Sequence, residues 1–440
     1  MASNPTAKLT TFLFGKILGP KKHEYAAVAW SFAYFFCVLS SYYILRPIRE
    51  AMAISSGPDT IPYLFMGTFA VMMLATPIFG WITSRYPRRS FLPWINLFFV
   101  SNILIFWFFF DKYVNDDTDH IWLGRAFFVW LSVFNLFVVS VFWSFMADIY
   151  TREQARRLFG FITAGGSIGA LVGSAANKAI VVDIGHQNLF PIAAGILTLA
   201  VLCIYKLRRW VAHEHEAEIN GTIESNTPLG GSPLSGVTHV FGSNYFLGIV
   251  VCSVVASLLG TALYIFAAQM VDDSISGADK QIEFYSNINF WVALFALLGQ
   301  MFVVKQIVGR FGIGRSLAVL PLVSIAGFVL LAFDPVLGVV AFLTIARRSL
   351  GFSFSKPTTD MLYSVVTPEE KYKTKNFIDT AVYRFGDIIG AWSVQLLMVW
   401  GIVGVSLAML PFAVVWSVVA LWLGRDYKRQ ALALRNQGVE

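Results

Sequence analysis

Charged residues are scarce in this sequence. Asp, Glu, Lys and Arg together make up 13% of the 440 residues, whereas soluble domains carry about 25%. Apolar residues make up 57%, and the mean hydropathy is +0.65. A soluble core cannot absorb so much apolar surface, so the composition indicates a protein that uses lipid as part of its solvent.

Cysteine and grouped catalytic residues are also lacking. The three cysteines, Cys37, Cys203 and Cys252, lie in apolar runs without a CxxC pair, so neither a disulfide framework nor a zinc site is indicated. The two histidines of the HEHEAE run (213–218) are two residues apart and point to different faces of a helix, which favours a solvated helix end over a metal site. No Walker sequence or catalytic constellation is present. We therefore expect neither an enzyme nor a cofactor.

Apolar runs long enough to cross a bilayer recur along the chain. A spanning helix needs about 20 mostly apolar residues. The predicted spans are approximately 25–45, 60–84, 90–111, 121–147, 157–181, 187–208, 240–270, 281–308, 314–333, 336–365, 374–400 and 402–424. The sequence thus predicts an all-α integral membrane protein of about twelve transmembrane helices.

A polar stretch divides these spans into two sets of six. Its Gly/Ser/Pro-rich run, NTPLGGSPLSG, favours a flexible linker. The N-terminal residues lack the small-residue cleavage site of a signal peptide. The predicted organisation is an N-terminal segment (1–24), a six-helix bundle (25–208), a linker (209–238), a second six-helix bundle (239–424) and a tail (425–440).

The two halves are similar at corresponding places. GWITSRYPRRS (80–90) follows the second helix of its half, as VGRFGIGRS (308–316) does. YTREQARRLFGFI (150–162) and VTPEEKYKTKNFI (366–378) follow the fourth helix of each half. Two parallel six-helix repeats are the architecture of transporters that alternate between two accessible states.

Basic residues concentrate on one set of connections and acidic residues on the other. The acidic connections are 111–119 and 272–283. The basic connections include 85–89, 152–157, 206–209, 310–315, 371–375 and 425–429. Lys and Arg favour the cytoplasmic face, so both termini and the linker are predicted to be cytoplasmic. The net charge of +7 follows from this asymmetry and does not imply a nucleic-acid partner.

Several segments resemble known transporter motifs. The run from Gly80 through Ser84, Arg85, Arg88 and Arg89 resembles the cytoplasmic loop motif of the major facilitator superfamily, with serine in place of its acid and Pro87 in place of its second glycine. SYYILRPIREAM (41–52), SVFWSFMADIYTREQARRLFG (140–160) and SFSKPTTDMLYSVVTPEEKYKTKNFIDTAVYRFGD (353–387) are similar to segments of the bacterial and plastid ATP/ADP translocase-like nucleotide transporters. In the first, Arg49 stands where that family has lysine.

This resemblance implies the major facilitator fold, with two pseudo-symmetric six-helix bundles. It also implies a secondary transporter that moves an anionic, phosphorylated and nucleotide-like metabolite by rocker-switch alternating access, as an exchanger. We expect a monomer in the bacterial inner membrane, with a small-molecule anion and the lipid bilayer as partners. One alternative is a proton-coupled transporter of a lipid-like or amphipathic solute, and another is a membrane-embedded enzyme or scaffold.

Charges inside the spans are the candidate substrate-binding residues, because intramembrane charge is costly and tends to be functional. Arg46 and Arg49 share one helix face and are candidates for binding an oxyanion; the alternative is an interfacial Arg46–Glu50 pair that ends the helix at Pro47. Arg347 and Arg348 lie deep in the tenth span without a sequence-local acid. The complete candidate set is Arg46, Arg49, Arg347, Arg348, Lys356 and Arg384.

Acids near these cations are candidates for gating or coupling. Asp148 and Asp379, near the inner mouth, could pair with the basic loops or carry a proton. Lys356 could pair with Asp360, Arg384 could form a structural pair with Asp387, and the sequence Lys356-Pro357 predicts a kink. The gating or coupling set is Glu50, Asp148, Asp360, Asp379, Asp387, Arg85 and Lys375.

Gly165, Gly169 and Gly173 form a GxxxGxxxG stripe in the fifth span. Small residues at this spacing favour close helix packing in membranes. The alternative is a phosphate cradle, although no strand precedes the stripe as a dinucleotide fingerprint requires.

Overall fold

The computed structural model describes residues 21, 24–85, 88–112, 117–218, 240–302, 304–367, 370, 374–375 and 377–436. Helices dominate these ranges. Those of the first half are α1 (Tyr25–Ser55), α2 (Ile61–Arg85), α3 (Arg88–Lys112), α4 (Asp117–Ile149), α5 (Arg152–Ile184) and α6 (Leu189–Glu218). Those of the second half are α7 (Asn244–Ser274), α8 (Ala278–Phe302), α9 (Val304–Phe333), α10 (Leu337–Leu350), α11 (Tyr383–Leu397) and α12 (Gly401–Asn436).

The tenth and eleventh helices are not regular α-helices throughout. After α10 the chain forms a π-helical segment (Gly351–Ser355) and then a further α-helical segment (Lys356–Leu362). A second π-helical segment (Ile378–Val382) leads directly into α11. The two interruptions lie on the two helices that carry most of the predicted charges of the second half.

Twelve helices of the described chain account for twelve membrane spans. Eleven continuous helical stretches are long and apolar enough to cross a bilayer, and the last of them, Ile378–Ala433, has 56 residues. A helix of that length would extend about 84 Å, far more than the roughly 30 Å of a hydrocarbon core. Gly401, with φ of +67°, divides it into α11 and α12. The predicted all-α fold with about twelve spans is confirmed.

Several helices extend beyond the predicted ends. The interpretation that α1 ends at Pro47 is wrong, since α1 continues to Ser55. Proline removes one backbone hydrogen bond, the one that residue 47 would donate to the Tyr43 carbonyl. Ile48, Ala51 and Met52 beyond it are buried, and their packing stabilises the helix past the proline. α6 extends to Glu218, inside the predicted linker, and residues 219–239 lie outside the described ranges. α12 continues to Asn436 in the predicted tail.

The described residues form two compact units. The first unit lies within Met1–Met52, Leu74–Glu224 and Gly277–Phe290; the second lies within Ala53–Met73, Ser225–Ser276 and Trp291–Glu440. These units differ from the predicted bundles in two short ranges, 53–73 and 277–290. The reason is local contact: the Tyr63 ring lies 5.2 Å from that of Trp392 in the second unit, and Asp279 binds His186 in the first.

In the first unit, α1 and α5 pack in parallel at very close range. A Cβ atom at Gly165, Gly169 or Gly173 would lie 2.5, 2.4 or 2.6 Å from a carbonyl oxygen of α1. These oxygens belong to Phe32, Phe36 and Ser40, and one turn further Asn177 Nδ2 donates to the Ile44 carbonyl at 2.7 Å. The stripe is therefore a packing face, and α1 occupies the space that a phosphate cradle would need.

The second unit repeats this contact. Gly386 and Gly390 of α11 face α7, where added Cβ atoms would lie 3.2 Å from Val254 Cα and 2.9 Å from Leu258 Cα. α7 and α11 are the first and fifth helices of their half, as α1 and α5 are of theirs. The same pair of helices thus approaches closely in both halves, as an internal repeat requires.

The start of α1 is fixed to the start of α5. Glu24 is buried and pairs with Arg157 Nη2 at 2.9 Å, and it accepts from Gln154 Nε2 at 3.1 Å. Gln154 also completes a capping box with Thr151. Burial alone would raise the pKa of Glu24, but hydrogen bonds from the Lys21 backbone, Arg157 and Gln154 outweigh it and lower the pKa below its ordinary value.

We expect Gly169→Ala to destabilise the protein and Gly160→Ala, on the same helix, to leave it unchanged or more stable. The Cβ at Gly169 meets the Phe36 carbonyl, whereas nothing lies within 4 Å at Gly160. Overpacking costs about 1–3 kcal/mol, and alanine gains up to about 1 kcal/mol over glycine in a helix. Thermal unfolding in detergent measures both. Equal midpoints for the two variants would contradict the packing interpretation.

Candidate functional site

Two arginines of α1 share one carboxylate oxygen in the first unit. Arg49 Nη2 lies 2.7 Å and Arg46 Nε 3.6 Å from the same Glu50 oxygen, Oε1. Arg49 Nη1 also donates to Ser132 Oγ of α4 at 3.2 Å. The expected Arg46–Glu50 contact is present, but the shorter contact is the one between neighbours in sequence. Two guanidinium groups thus lie close together around one carboxylate oxygen.

Aromatic rings line the two guanidinium groups. The Arg46 guanidinium carbon lies 5.6 Å from the Tyr43 ring centre and 6.0 Å from that of Tyr42. The Arg49 guanidinium lies 4.8 Å from the Phe128 ring of α4. Ring faces attract cations without neutralising them. The rings therefore pack against both guanidinium groups without replacing a counterion.

Arg347 is the most deeply buried of the arginines whose side chains the structure describes in the second unit. Its exposed fraction is 8%, and Nη2 donates to the Ala256 carbonyl of α7 at 3.1 Å. Gly260 of α7 lies beside it, and an added Cβ there would be at an ordinary contact distance of 3.7 Å from Nη1. No carboxylate of the described chain lies within ion-pair distance of Arg347, and its Nε atom has no hydrogen-bond partner there. Arg348 is half-buried and, about 100° further round the helix, points elsewhere.

Arg384 and Asp387 of α11 form the expected ion pair, at 3.1 Å between Nη1 and Oδ2. The other carboxylate oxygen, Oδ1, lies within hydrogen-bond distance of the Ser257 hydroxyl of α7 and 3.5 Å from the Thr261 hydroxyl. Sequence reasoning missed Ser257 and Thr261. The available signal was a pair of hydroxyl residues four apart in an apolar span, which places both on one helix face.

Four charges connect the tenth and eleventh helices beside the two π-helical segments. Lys356 Nζ lies 2.7 Å from Asp379 and 3.7 Å from Asp360, and Lys375 lies 2.9 Å from Asp360. The predicted Lys356–Asp360 contact is thus the longer of two, and Asp379 pairs with Lys356. Lys356 directly follows the first π-helical segment and Asp379 lies in the second. π-Helical turns frequently occur at functional sites. The Lys356-Pro357 step predicted a kink near the first of them, but not its π-helical form.

Two further candidates, Asp148 and Arg85, lie at the ends of helices. Asp148 is half-buried in the last turn of α4. Arg85 ends α2, but its side chain lies outside the described part of the chain, as does Pro87. The cytoplasmic loop motif therefore stays a sequence prediction.

Comparison with known proteins establishes the family. The profile of the Major Facilitator Superfamily matches residues 30–391, most of the chain. The chain belongs to this superfamily. It is a multi-pass membrane transporter built from two pseudo-symmetric six-helix halves, as the sequence predicted.

Individual relatives are distant. ADP,ATP carrier protein 2 of Chlamydia pneumoniae is 21% identical, over 93% of this chain and 90% of the carrier. Among solved structures, a bacterial homologue of the iron transporter ferroportin, in an inward-facing state, has a TM-score of 0.61 at 13% identity and covers 92% of this chain and 98% of its own. The nucleoside transporter NupG has a TM-score of 0.55 at 14% identity, with 93% and 99% covered. The structures show the shared fold alone.

We expect Lys356 and Asp379 of this transporter to be energetically coupled. Both side chains are exposed, so the coupling should be about 0.2–1 kcal/mol. A double-mutant cycle of Lys356→Gln and Asp379→Asn, read by the free energy of unfolding, measures it. Lys356→Gln combined with Asp334→Asn, an exposed acid before α10, should be additive. Additivity in the first cycle would show that the ion pair contributes nothing.

Proposed function

We propose that this transporter moves an anionic, phosphorylated metabolite, with a nucleotide as the leading candidate, by alternating access of the rocker-switch type. The proposal rests on the environment of one residue, Arg347. It is buried to 8% exposure and has a backbone carbonyl, but no carboxylate of the described residues, as its partner. Leaving a buried charge uncompensated costs several kcal/mol. A substrate anion would remove that cost whenever it binds.

The side-chain chemistry favours phosphate as the anionic group. A guanidinium is planar and can donate two parallel hydrogen bonds to one phosphate, which a lysine ammonium cannot do. The first unit also holds two guanidinium groups close together, since Arg46 and Arg49 both contact one Glu50 oxygen. The similar chlamydial proteins are named ADP,ATP carriers, which supports a nucleotide.

Exchange is the proposed mode of transport. A cationic site that is empty has a buried charge without a counterion, whereas the loaded site is neutralised. The loaded protein would therefore reorient more readily than the empty one. Counterflow in proteoliposomes tests this: internal nucleotide should accelerate uptake of labelled external nucleotide. Uptake that is indifferent to internal nucleotide would exclude obligate exchange.

We expect Arg347→Gln to weaken nucleotide binding about tenfold or more, because a hydrogen bond to a charged group contributes about 1.5–3 kcal/mol. Calorimetric titration of ATP into purified protein measures this. Wild-type affinity should also fall as salt rises, because screening weakens the attraction. The matched control is Arg429→Gln, which removes an exposed arginine of α12 from the same unit.

Two outcomes would contradict the proposed function. One is unchanged ATP affinity in a folded Arg347→Gln variant. The other is tight binding of a neutral or cationic solute that neither salt nor the substitution affects. In either case Arg347 would have a structural role only.

We further propose that the chain lies in the bacterial inner membrane with both termini and the linker in the cytoplasm. The basic connections support this orientation. A cysteine at Ser232 in the linker should then react in intact cells only with membrane-permeant reagents. A cysteine at Ser276, in the exposed connection before α8, should also react with impermeant ones. The native cysteines are replaced first. Labelling of the Ser232 position by impermeant reagents would show the opposite orientation.

A further inference from the structure

Asp387 lies in the middle of the eleventh helix, about 13 Å along it from Ile378. Its side chain is 14% exposed. Gly386 and Gly390 on either side bring α11 against α7, where added Cβ atoms would lie 3.0 Å from Ser257 Cβ and 3.1 Å from Thr261 Cβ. Close packing thus fixes the carboxyl group against two hydroxyl groups at membrane depth.

The hydrogen bonds of Ser257 involve one proton and two acceptors. Its Oγ lies 3.0 Å from the Tyr383 carbonyl oxygen and within hydrogen-bond distance of Asp387 Oδ1. A hydroxyl group has a single proton to donate. If Ser257 donates to Asp387, its contact with the Tyr383 carbonyl is not a hydrogen bond. If it donates to that carbonyl, the contact with Asp387 is a hydrogen bond only when Asp387 itself carries a proton.

Three helices, α7, α10 and α11, contribute the polar, charged and titratable groups described near Asp387. On its own helix, Arg384 is the paired cation and Tyr383 is the titratable neighbour. α7 contributes only the uncharged hydroxyl groups of Ser257 and Thr261. From α10, Arg347 and Arg348 lie within electrostatic range of Tyr383. Arg384 is therefore the group whose interactions change most when Asp387 gains or loses a proton.

We propose that Asp387 is a proton-binding site that controls whether Arg384 is available to the substrate anion. A proton from water forms an O–H bond at Oδ1, Asp387 then donates to Ser257 Oγ, and Ser257 donates to the Tyr383 carbonyl. The neutral carboxyl group no longer neutralises Arg384, whose guanidinium is freed to bind the anion. Loss of the proton restores the ion pair and releases the anion. This inference rests on the proposed anion transport.

The arrangement couples proton binding to anion binding. Each ligand stabilises the state that the other prefers, so anion binding should take up protons and strengthen as pH falls. Asp387→Asn imitates the neutral carboxyl group and keeps a hydrogen-bonding side chain of the same size. In this variant, anion affinity should lose the part of its pH dependence that comes from Asp387.

The experiment is calorimetric titration of ATP into the full-length protein, in buffers of equal pH but different ionisation enthalpy. Wild type should take up as much as about one proton per anion, and Asp387→Asn should lose that uptake. Asp334→Asn, the same substitution at an exposed position, should behave as wild type. If wild type takes up no protons on ATP binding at any pH, the coupling is wrong. It is also wrong if Asp387→Asn takes up as many protons as wild type.

A measurement without substrate separates this inference from the proposed function. The infrared difference spectrum between acidic and alkaline buffer should contain a carboxylic-acid C=O band that Asp387→Asn lacks and Asp334→Asn retains. If no band depends on Asp387, the proton site is wrong whether or not ATP binds. If the band is present but no phosphorylated anion binds, the proposed function fails and the proton site stands.

Discussion

Close approach of the first and fifth helices in each half is the contact on which the arrangement of charges depends. In lipid, helices associate through van der Waals contact and hydrogen bonds, so small residues decide which backbones can meet. Gly165, Gly169 and Gly173 place α5 directly on the carbonyl groups of α1, and Asn177 continues the same face with a hydrogen bond. Gly386 and Gly390 do the same for α11 and α7. Asp387 reaches Ser257 only because of that second contact.

The buried charges follow a consistent pattern within the described residues. Near the π-helical segments, Lys356, Lys375, Asp360 and Asp379 neutralise one another and remain partly exposed to solvent. Elsewhere, two arginines contact one oxygen of Glu50, and Arg347 donates to a backbone carbonyl with no carboxylate of the described residues at ion-pair distance. A buried cation without a carboxylate, such as Arg347, has a higher energetic cost than a paired one.

Hydroxyl groups and local helix geometry complete these clusters. Ser132 and Ser257 each bring a polar group from a second helix to a charged residue that the sequence did identify. The first π-helical segment immediately precedes Lys356, and the second contains Asp379. The two side chains, which are on different helices, meet at 2.7 Å. A regular helix through both segments would give these side chains different directions, because each π-helical turn contains an extra residue.

The sequence by itself determined the fold class, the approximate number of spans and the packing role of the glycine stripe. These follow from hydropathy and residue size, which act locally along one helix. It also placed Arg384 beside Asp387, because residues three apart share a helix face. Only the tertiary structure decided that α1 continues through Pro47, that Lys356 prefers Asp379, and that Arg347 meets the Ala256 carbonyl. Each of those depends on which helices lie side by side, and contacts between helices are not encoded in the periodicity of either one.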